Sequence, residues 1–360
     1  MARIRVRASV VVFDDDTDLH FLMQSSGLVK TFSANASVRS ALRLLQDFIS
    51  PEVVITAVRR DFPDIPTEEI ATFFEVLLDE GIAEREAQFP YEVRYRKQVE
   101  LFADMATSHL PPTVFHHKLR TGSAMLFGVG GAGTWVALSL ALAGVGRIIL
   151  IDRDIVAESN LNRQIAYGEG DVGRKKVHVC TEKIQQLNHG VSVVPIDDAI
   201  ASEEDVKMLL DRHGPGIALN CCDHPSKRAT DLLVGRACWK AGIPHLLGSS
   251  YSSHVGRLGP TVVPGHTSCA ECHEQVYVRW QDTLRPGWRV LFQPRDAVVG
   301  SIGAICGMLG NMIAWEGLRV LAGLPPAMEN RMANVDFSTM EMIFTPLPKE
   351  KSCALCGGAN

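Results

Sequence analysis

The chain has 360 residues, of which 46% are hydrophobic and 21% are charged, as is usual for a globular protein with a sizeable core. Its net charge of −5 disfavours general binding to nucleic acids, which requires a basic face. No stretch approaches the roughly 18 uncharged apolar residues of a membrane span, and the first residues alternate polar and apolar types, unlike a signal peptide. We therefore expect a cytoplasmic protein that binds neither membranes nor nucleic acids.

Residues 1–86 predict a small separate domain. Alternating β-rich segments come first, and segments with helical spacing of apolar residues follow. The predicted strands are Val6–Phe13, Leu19–Met23 and Leu28–Phe32, and the predicted helices are Ser37–Phe48 and two that begin at Pro51 and Thr67. Three strands and three helices form a winged-helix-like α+β domain. Acidic residues such as Asp14–Asp16, Glu68 and Glu69 disfavour DNA as its ligand.

Residues 87–118 predict a connector rich in charged and aromatic residues, and residues 119–360 predict the main domain. Strand and helix patterns alternate there, which indicates a doubly wound, mostly parallel α/β sheet. After Gly248 the pattern predicts antiparallel strands and a long apolar helix over Gly300–Leu321. The predicted parallel strands are Ala124–Gly128, Arg147–Ile151, Val191–Ile196, Gly216–Cys221 and Pro244–Leu247.

A glycine-rich turn follows the first of these strands. Such a turn allows the backbone to approach nucleotide phosphates at a helix N-terminus. Asp152 comes 19 residues after Gly133, where a ribose-binding carboxylate is expected. The predicted nucleotide-binding residues are Gly128, Gly130, Gly131, Gly133, Asp152, Asp154 and Asn160.

Two cations and a carboxylate distinguish this segment from the binding site for a nicotinamide cofactor in a redox enzyme. Arg163 and Lys176 follow within the same strand–helix unit. Hydride transfer does not use such cations, whereas breaking a triphosphate does, because charge shifts among its oxygens. Asp223 lies at the predicted carboxyl end of the fourth strand, where it could bind Mg²⁺ or could cap a helix. We favour the metal, and we predict ATP-dependent adenylation.

The motifs GxGGxG, DxD, NLxRQ and GxxK, with the strand-end aspartate, resemble the ThiF/MoeB superfamily of ubiquitin-activating-enzyme-like adenylyltransferases over about residues 94–360. The resemblance implies ATP, attack of a substrate carboxylate on the α-phosphate, release of pyrophosphate, and a homodimer. It implies that Asp152 holds ribose and Asp223 holds Mg²⁺, while Arg163 and Lys176 stabilise phosphate.

The superfamily also carries an RYxRQ motif, whose second arginine reaches the ATP of the partner subunit. In this chain Lys97 stands at that arginine's place, within the segment from Arg94 to Gln98. Lysine lacks the bidentate fork of arginine. Lys97, Arg96 and Arg94 are therefore three candidates for this contact.

Two CxxC pairs, Cys269/Cys272 and Cys353/Cys356, predict a structural four-cysteine Zn²⁺ site. Family members share the arrangement. The other cysteines are expected to be buried small hydrophobic residues: Cys180, Cys221, Cys222, Cys238 and Cys306.

Three interpretations of the substrate compete. Relatives that form a thioester need a cysteine after the first pair, and residues 273–305 contain none, although simple adenylation of a sulfur-carrier or ubiquitin-like protein remains open. The N-terminal domain instead resembles the precursor-peptide recognition domain of enzymes that modify ribosomally made peptides. Such domains accept a leader peptide as an added strand. The segments CDHP and GPTVVPGHTSCAEC and the C-terminal CxxC resemble peptide maturation enzymes of the microcin C type, whose plan the pantocin A type shares. The third interpretation, a scaffold without activity, is disfavoured by Arg163, Lys176 and Asp223.

Four arginines follow the first cysteine pair in a predicted loop, and they could bind acidic side chains: Arg279, Arg285, Arg289 and Arg295. We therefore predict maturation of a ribosomally made peptide in which a glutamate carboxylate is adenylated and then condenses within the peptide, as in the pantocin type. In the microcin type, an amide nitrogen attacks ATP and a nucleotide stays attached.

Overall fold

The computed structural model describes residues 2–24, 26–86, 90–106, 110–248, 250–252, 254–284, 286–288 and 300–357. The chain divides into two compact units, Met1–His117 and Lys118–Asn360. None of the helices among the described residues is long and apolar enough to cross a membrane.

The first unit contains five short strands and four complete helices in its described part. Strands β2, β3 and β4 form an antiparallel sheet in that order, and β1 pairs with β5. Helix α1 begins where the Asn35 side chain accepts a hydrogen bond from Val38 N, and α2 has Pro51 in its first turn. The elements are β1 Ile4–Val6, β2 Val10–Asp14, β3 Asp18–Met23, β4 Leu28–Ser33, α1 Ala36–Leu44, α2 Pro51–Asp61, α3 Thr67–Asp79, β5 Ala83–Arg85 and α4 Arg96–Ala103, with α5 Pro112–Thr121 at the boundary of the units.

The predicted first strand is wrong in one respect, because it is two strands in two sheets. Arg7 N donates to Ile82 O and Val10 N donates to Arg7 O, so the chain turns between β1 and β2. The core of the unit lies where the two sheets and the helices meet, and its fully buried residues include Phe21, Leu45 and Leu77.

The second unit is a doubly wound α/β domain with a smaller antiparallel sheet. Its six-stranded sheet has the order β13-β10-β9-β6-β7-β8, and only β13 is antiparallel to its neighbour in that sheet. The elements are β6 Ser123–Phe127, α6 Gly131–Leu142, β7 Arg147–Ile151, α7 Lys176–Leu187, β8 Ser192–Ile196, α8 Glu203–His213, β9 Ile217–Asn220, α9 Lys227–Ala241, β10 His245–Leu246, β11 Ser250–Ser252, β12 Val255–Leu258, β13 Thr261–Val262, α10 Ala270–Leu284, α11 Gly303–Ala322, β14 Arg331–Asp336 and β15 Glu341–Pro346.

Both faces of the parallel sheet are covered. Leu126 and Leu150 point to the face that carries α6, α7 and α11. Met125 and Ile149 point to the face that carries α8 and α9. The strand order reverses at β6, which lies between β7 and β9, and ligands of such sheets bind at the carboxyl ends of the strands at this point.

Candidate active site

The glycine-rich turn is packed so closely that two of its positions exclude any side chain. Gly128 has a φ of +86°, and a Cβ there would lie 2.9 Å from the Cys221 carbonyl. A Cβ on Gly133 would lie 2.0 Å from Gly128 O, so this contact fixes α6 against β6. At Gly130, by contrast, the only described atom within 4 Å of a Cβ is Gln164 Nε2, at 3.8 Å. The turn therefore has an open side at Gly130, beside the N-terminus of α6, where a phosphate could approach.

Gln164 is a candidate site residue that the sequence motifs alone did not single out. Its side chain is 3% exposed, and its Oε1 has no hydrogen-bond partner among the described residues. Buried polar atoms are nearly always paired in native proteins, so an unpaired one beside Gly130 indicates a position for a ligand. The signal in the sequence was the NLNRQ motif, of which Gln164 is the last residue.

Asp152 lies directly after β7 and connects two parts of the turn. Its Oδ2 accepts a hydrogen bond from Val129 N at 2.8 Å, and its Oδ1 accepts one from Asp154 N at 2.9 Å. An ionised carboxylate offers about four acceptor positions, so a ribose hydroxyl can still donate to Asp152.

Lys176 is the first residue of α7 and is 6% exposed. Its Nζ donates to Asp154 Oδ2 at 2.9 Å. Asp154, which was predicted to bind nucleotide, is itself exposed and neutralises this lysine. A charged ligand at the turn would compete with Asp154 for the ammonium group.

Arg163 is half-buried, and its Nη1 donates to Ser159 O at 2.6 Å and to Asn162 Oδ1 at 3.0 Å. These bonds use one nitrogen of the guanidinium. Asn160 is buried, and its Oδ1 accepts a hydrogen bond from Ala157 N at 3.0 Å. In this structure the Asn160 side chain therefore stabilises the turn in which it lies.

Tyr251 also lies beside the turn, and no sequence motif identified it. A Cβ on Gly131 would lie 2.8 Å from the Tyr251 hydroxyl and 2.9 Å from Cys306 Sγ. Burial raises the pKa of Tyr251 above its ordinary value. Ser301 Oγ lies 3.1 Å from Cys306 Sγ. The position of Tyr251 shortly after β10, at the carboxyl edge of the sheet, was the available signal.

Asp223 is exposed in the loop that follows β9. The alternative that it caps a helix is wrong, because Ser226 is the N-cap of α9 and its side chain accepts from Ala229 N. The loop is fixed by Cys222, whose N donates to Asn220 Oδ1 at 3.1 Å. One carboxylate at a strand end suits Mg²⁺ bound to a nucleotide, since phosphates and water supply the remaining oxygen ligands.

The three cations predicted as candidates for a contact with the ATP of a partner subunit belong to the first unit. Arg96 and Lys97 are exposed at the start of α4. The Arg94 guanidinium lies 5.6 Å from the centre of the Tyr95 ring, and Tyr95 is buried.

The segment after the first cysteine pair begins as helix α10 and not as a loop. Arg279 lies on this helix and forms an ion pair with Glu350. Arg285, Arg289 and Arg295 lie outside the described residues.

The four cysteines Cys269, Cys272, Cys353 and Cys356 form one buried cluster, with their sulfur atoms within 4.8 Å of one another. Sγ of Cys269 and Cys353 lie 3.5 Å apart, and Sγ of Cys272 and Cys356 lie 3.3 Å apart. Tetrahedral Zn²⁺ with bonds of about 2.3 Å requires sulfur separations of about 3.8 Å. The cluster therefore fits zinc. Of the other cysteines, Cys180, Cys238 and Cys306 are buried as expected, whereas Cys221 and Cys222 are only half-buried.

A doubly wound sheet with a nucleotide turn and a cysteine tetrad defines a class of adenylate-forming α/β enzymes. The profile of the ThiF family matches residues 96–356, and the chain belongs to this family of ATP-dependent adenylyltransferases. Sulfur carrier protein ThiS adenylyltransferase of Escherichia coli is 28% identical over 271 residues, which cover 74% of this chain and 96% of the relative.

Solved structures of two proteins resemble this chain over nearly all of its length. MccB of E. coli with ATP has a TM-score of 0.72 at 19% identity, and the match covers 99% of this chain and 100% of MccB. PaaA has a TM-score of 0.70 at 18% identity, and the match covers 96% of this chain and 100% of PaaA. Both likenesses establish the fold of the chain.

Proposed function

We propose that this adenylyltransferase matures a ribosomally made peptide, activating a glutamate carboxylate that then condenses within the peptide. The observation that supports the proposal is the extent of the two likenesses. MccB and PaaA match the first unit as well as the second, whereas the ThiF profile begins at residue 96. MccB is a Microcin C7 biosynthetic enzyme, and it has been solved in complex with N-formylated MccA. The shared first unit is what favours a peptide over a carrier protein.

In this proposal the glycine-rich turn and the N-terminus of α6 hold the phosphates of ATP, and Asp152 holds the ribose. Arg163 and Lys176 stabilise the charge that moves onto the leaving pyrophosphate, which is the main need of this reaction. Asp223 holds Mg²⁺, and a cation of a second subunit (Lys97, Arg96 or Arg94) completes the phosphate contacts. The carboxylate attacks the α-phosphate, pyrophosphate leaves, and a nucleophile of the peptide then displaces AMP from the acyl adenylate.

We propose that the leader of the peptide binds the edge of β4. Among the described strands, β4 has one neighbour, β3, and its Leu28 and Val29 are each 53% exposed. An added strand would pair with the outer backbone groups of β4, and its side chains would lie beside Leu28 on one face of the sheet and beside Val29 on the other.

The homodimer and the zinc ion belong to the same proposal. Ile155, Ile165 and Val172 are between 43% and 51% exposed and lie in the segment that carries the nucleotide motifs. Three exposed apolar side chains in this segment favour a contact with a second subunit that would bury them.

Zinc would be held by the cysteine tetrad, and its role would be structural. The tetrad forms a buried cluster of its own, and Trp239 and Leu355 pack against it.

The test is mass spectrometry of short peptides encoded beside the gene, after incubation with the full chain, ATP and Mg²⁺. We expect a product that has lost water, with or without carbon dioxide, together with pyrophosphate release. A gain of a nucleotide monophosphate would assign the microcin type instead. A chain that modifies none of these peptides but adenylates a sulfur-carrier protein would contradict the proposal. Asp223→Ala should lower pyrophosphate release by at least about 100-fold, while Asp211→Ala, an exposed aspartate of α8, should not change it.

A further inference from the structure

A cavity of about 440 Å³ lies in the second unit, between helices α9 and α10 and the antiparallel sheet β11-β12-β14-β15. We refer to it as the groove. Its lining is partly apolar and aromatic and partly charged, and includes Lys227, Asp231, Arg257, Tyr277, Trp280 and Asn334. Pockets of this volume and composition bind small ligands or a few residues of a peptide.

The register of the antiparallel sheet directs Arg257 into the groove. Arg257 pairs with Ser250 of β11 and with Asn334 of β14, and all three residues line the groove. Alternate residues of a strand point to opposite faces. Its neighbours Gly256 and Leu258 are buried, and Leu258 packs in the core that contains α11. The polar face of the sheet is therefore the wall of the groove.

Arg257 is a charge that the groove does not neutralise. Lys227 forms an ion pair with Asp231, and Arg228 forms one with Glu274. Arg257 is exposed, and its guanidinium makes no ion pair or hydrogen bond with another residue in the part of the chain that the structure describes. Because these other charged side chains form ion pairs with each other, a carboxylate that enters the groove could pair with the Arg257 guanidinium.

One end of the groove lies at the carboxyl ends of β9 and β10, and Asp223 lies in the loop that follows β9. Lys227 Nζ donates to the carbonyl of Asn220, the last residue of β9, at 3.1 Å. Gly248 N, just after β10, donates to Asp231 Oδ2 at 3.2 Å. A peptide that occupies the groove would therefore run toward the carboxyl edge of the parallel sheet, where the nucleotide turn also lies.

We propose that Arg257 binds a carboxylate of the peptide substrate, on a side chain other than the one that attacks ATP. The planar guanidinium can form two parallel hydrogen bonds to a carboxylate. Tyr277 and Trp280 would contact the apolar part of the same segment. This inference rests on the proposed function, since it assumes that the substrate is a peptide, and it makes Arg257 the residue that selects acidic sequences.

The experiment uses the full chain and synthetic peptides labelled with a rhodamine dye, which carry glutamate, glutamine or lysine at each position in turn. Binding is measured by fluorescence anisotropy without ATP. We expect the wild-type chain to bind at least one glutamate peptide about 10- to 100-fold more tightly than its glutamine counterpart, as a charge-assisted hydrogen bond predicts. Arg257→Gln should remove this preference by weakening the glutamate peptide alone, and Arg257→Lys should restore part of it.

Arg212→Gln, which removes an exposed arginine of α8, is the matched control and should bind like the wild-type chain. The Michaelis constant for ATP and the unfolding temperature should stay unchanged in Arg257→Gln. A preference for glutamate that survives in Arg257→Gln would overturn the inference while leaving the proposed function intact. A weaker affinity for ATP with unchanged peptide binding would assign Arg257 to phosphate and would overturn it too. A wild-type chain that binds none of the peptides would contradict both proposals.

Discussion

Asp152 shows how one side chain can serve the fold and the site together. Its two oxygens fix the glycine-rich turn through Val129 and the following segment through Asp154. The sequence indicated a ribose ligand from spacing alone. The structure adds that the carboxylate shapes the turn before any nucleotide arrives. Under the proposed function, a substitution of Asp152 would therefore alter the phosphate contacts of the turn as well as the ribose contact.

At a single residue, the buried His245, burial makes the stability of the protein depend on pH. This histidine is completely buried, its Nδ1 lies 2.9 Å from Ile243 O, and burial lowers its pKa to about 4. In the unfolded chain a histidine binds a proton below about pH 6.5. The unfolded state therefore binds more protons between these values, and stability falls as the pH falls from about 6.5 to about 4.

We expect His245→Gln to lose less stability over this range than the wild-type chain, by about 2–3 kcal/mol. The measurement is denaturant unfolding at a series of pH values. His266→Gln, which replaces an exposed histidine, is the control and should follow the wild-type curve. Parallel curves for His245→Gln and the wild-type chain would contradict this account.

At the scale of elements, α11 and α6 approach closely because α11 has glycines at their contact. A Cβ on Gly310 would lie 2.7 Å from Ala132 O and 2.7 Å from Trp135 Cβ. Ala132 and Trp135 belong to the helix that follows the glycine-rich turn. The position of that helix N-terminus thus depends on a small residue far along the chain.

Gly310→Val should lower the free energy of unfolding by about 2–4 kcal/mol, since backbone atoms of α6 cannot move aside for a side chain. It should also raise the Michaelis constant for ATP by displacing α6. Gly170→Ala is the control, because no described atom lies within 4 Å of a Cβ there. Wild-type stability in Gly310→Val would show that the two helices can separate without cost.

The elements with strong periodic patterns were predictable from the sequence, and those that depend on distant pairing were not. The bounds of β7, Arg147–Ile151, agree with the prediction, because a buried parallel strand is a continuous apolar run. Strand β5 has three residues and exists by pairing with β1, at the other end of the first unit. No local sequence pattern predicts such a strand.

The same distinction holds for the candidate site. The motifs predict the glycines, Asp152, Arg163 and Lys176 as site residues, because each lies at a fixed distance along the chain from the turn. Tyr251 and Arg257 reach their places through folding of the antiparallel sheet, and Arg279 is paired with a residue 71 positions away. Spacing carries no information about such contacts.

At the scale of the whole molecule, the cysteine tetrad joins two segments 84 residues apart. We expect one zinc per chain by elemental analysis. Cys353→Ser should lose most of this zinc and lower the unfolding temperature of the second unit by several degrees, about 2–4 °C for each kcal/mol lost. Cys238→Ala, at another buried cysteine, should keep the zinc. A zinc content that is unchanged in Cys353→Ser would contradict the assignment.

The tetrad also has a consequence for the order in which the protein matures during its synthesis. The parallel strands are complete once His245–Leu246 has been made, but the second cysteine pair comes after β15. Leu347, which lines the groove, lies between β15 and that pair. A nascent chain that has not reached Cys353 can therefore form the nucleotide turn while one wall of the groove is still unanchored. Under the proposed function, the nucleotide turn would therefore form on the ribosome before the groove that presents Arg257 to the peptide is complete.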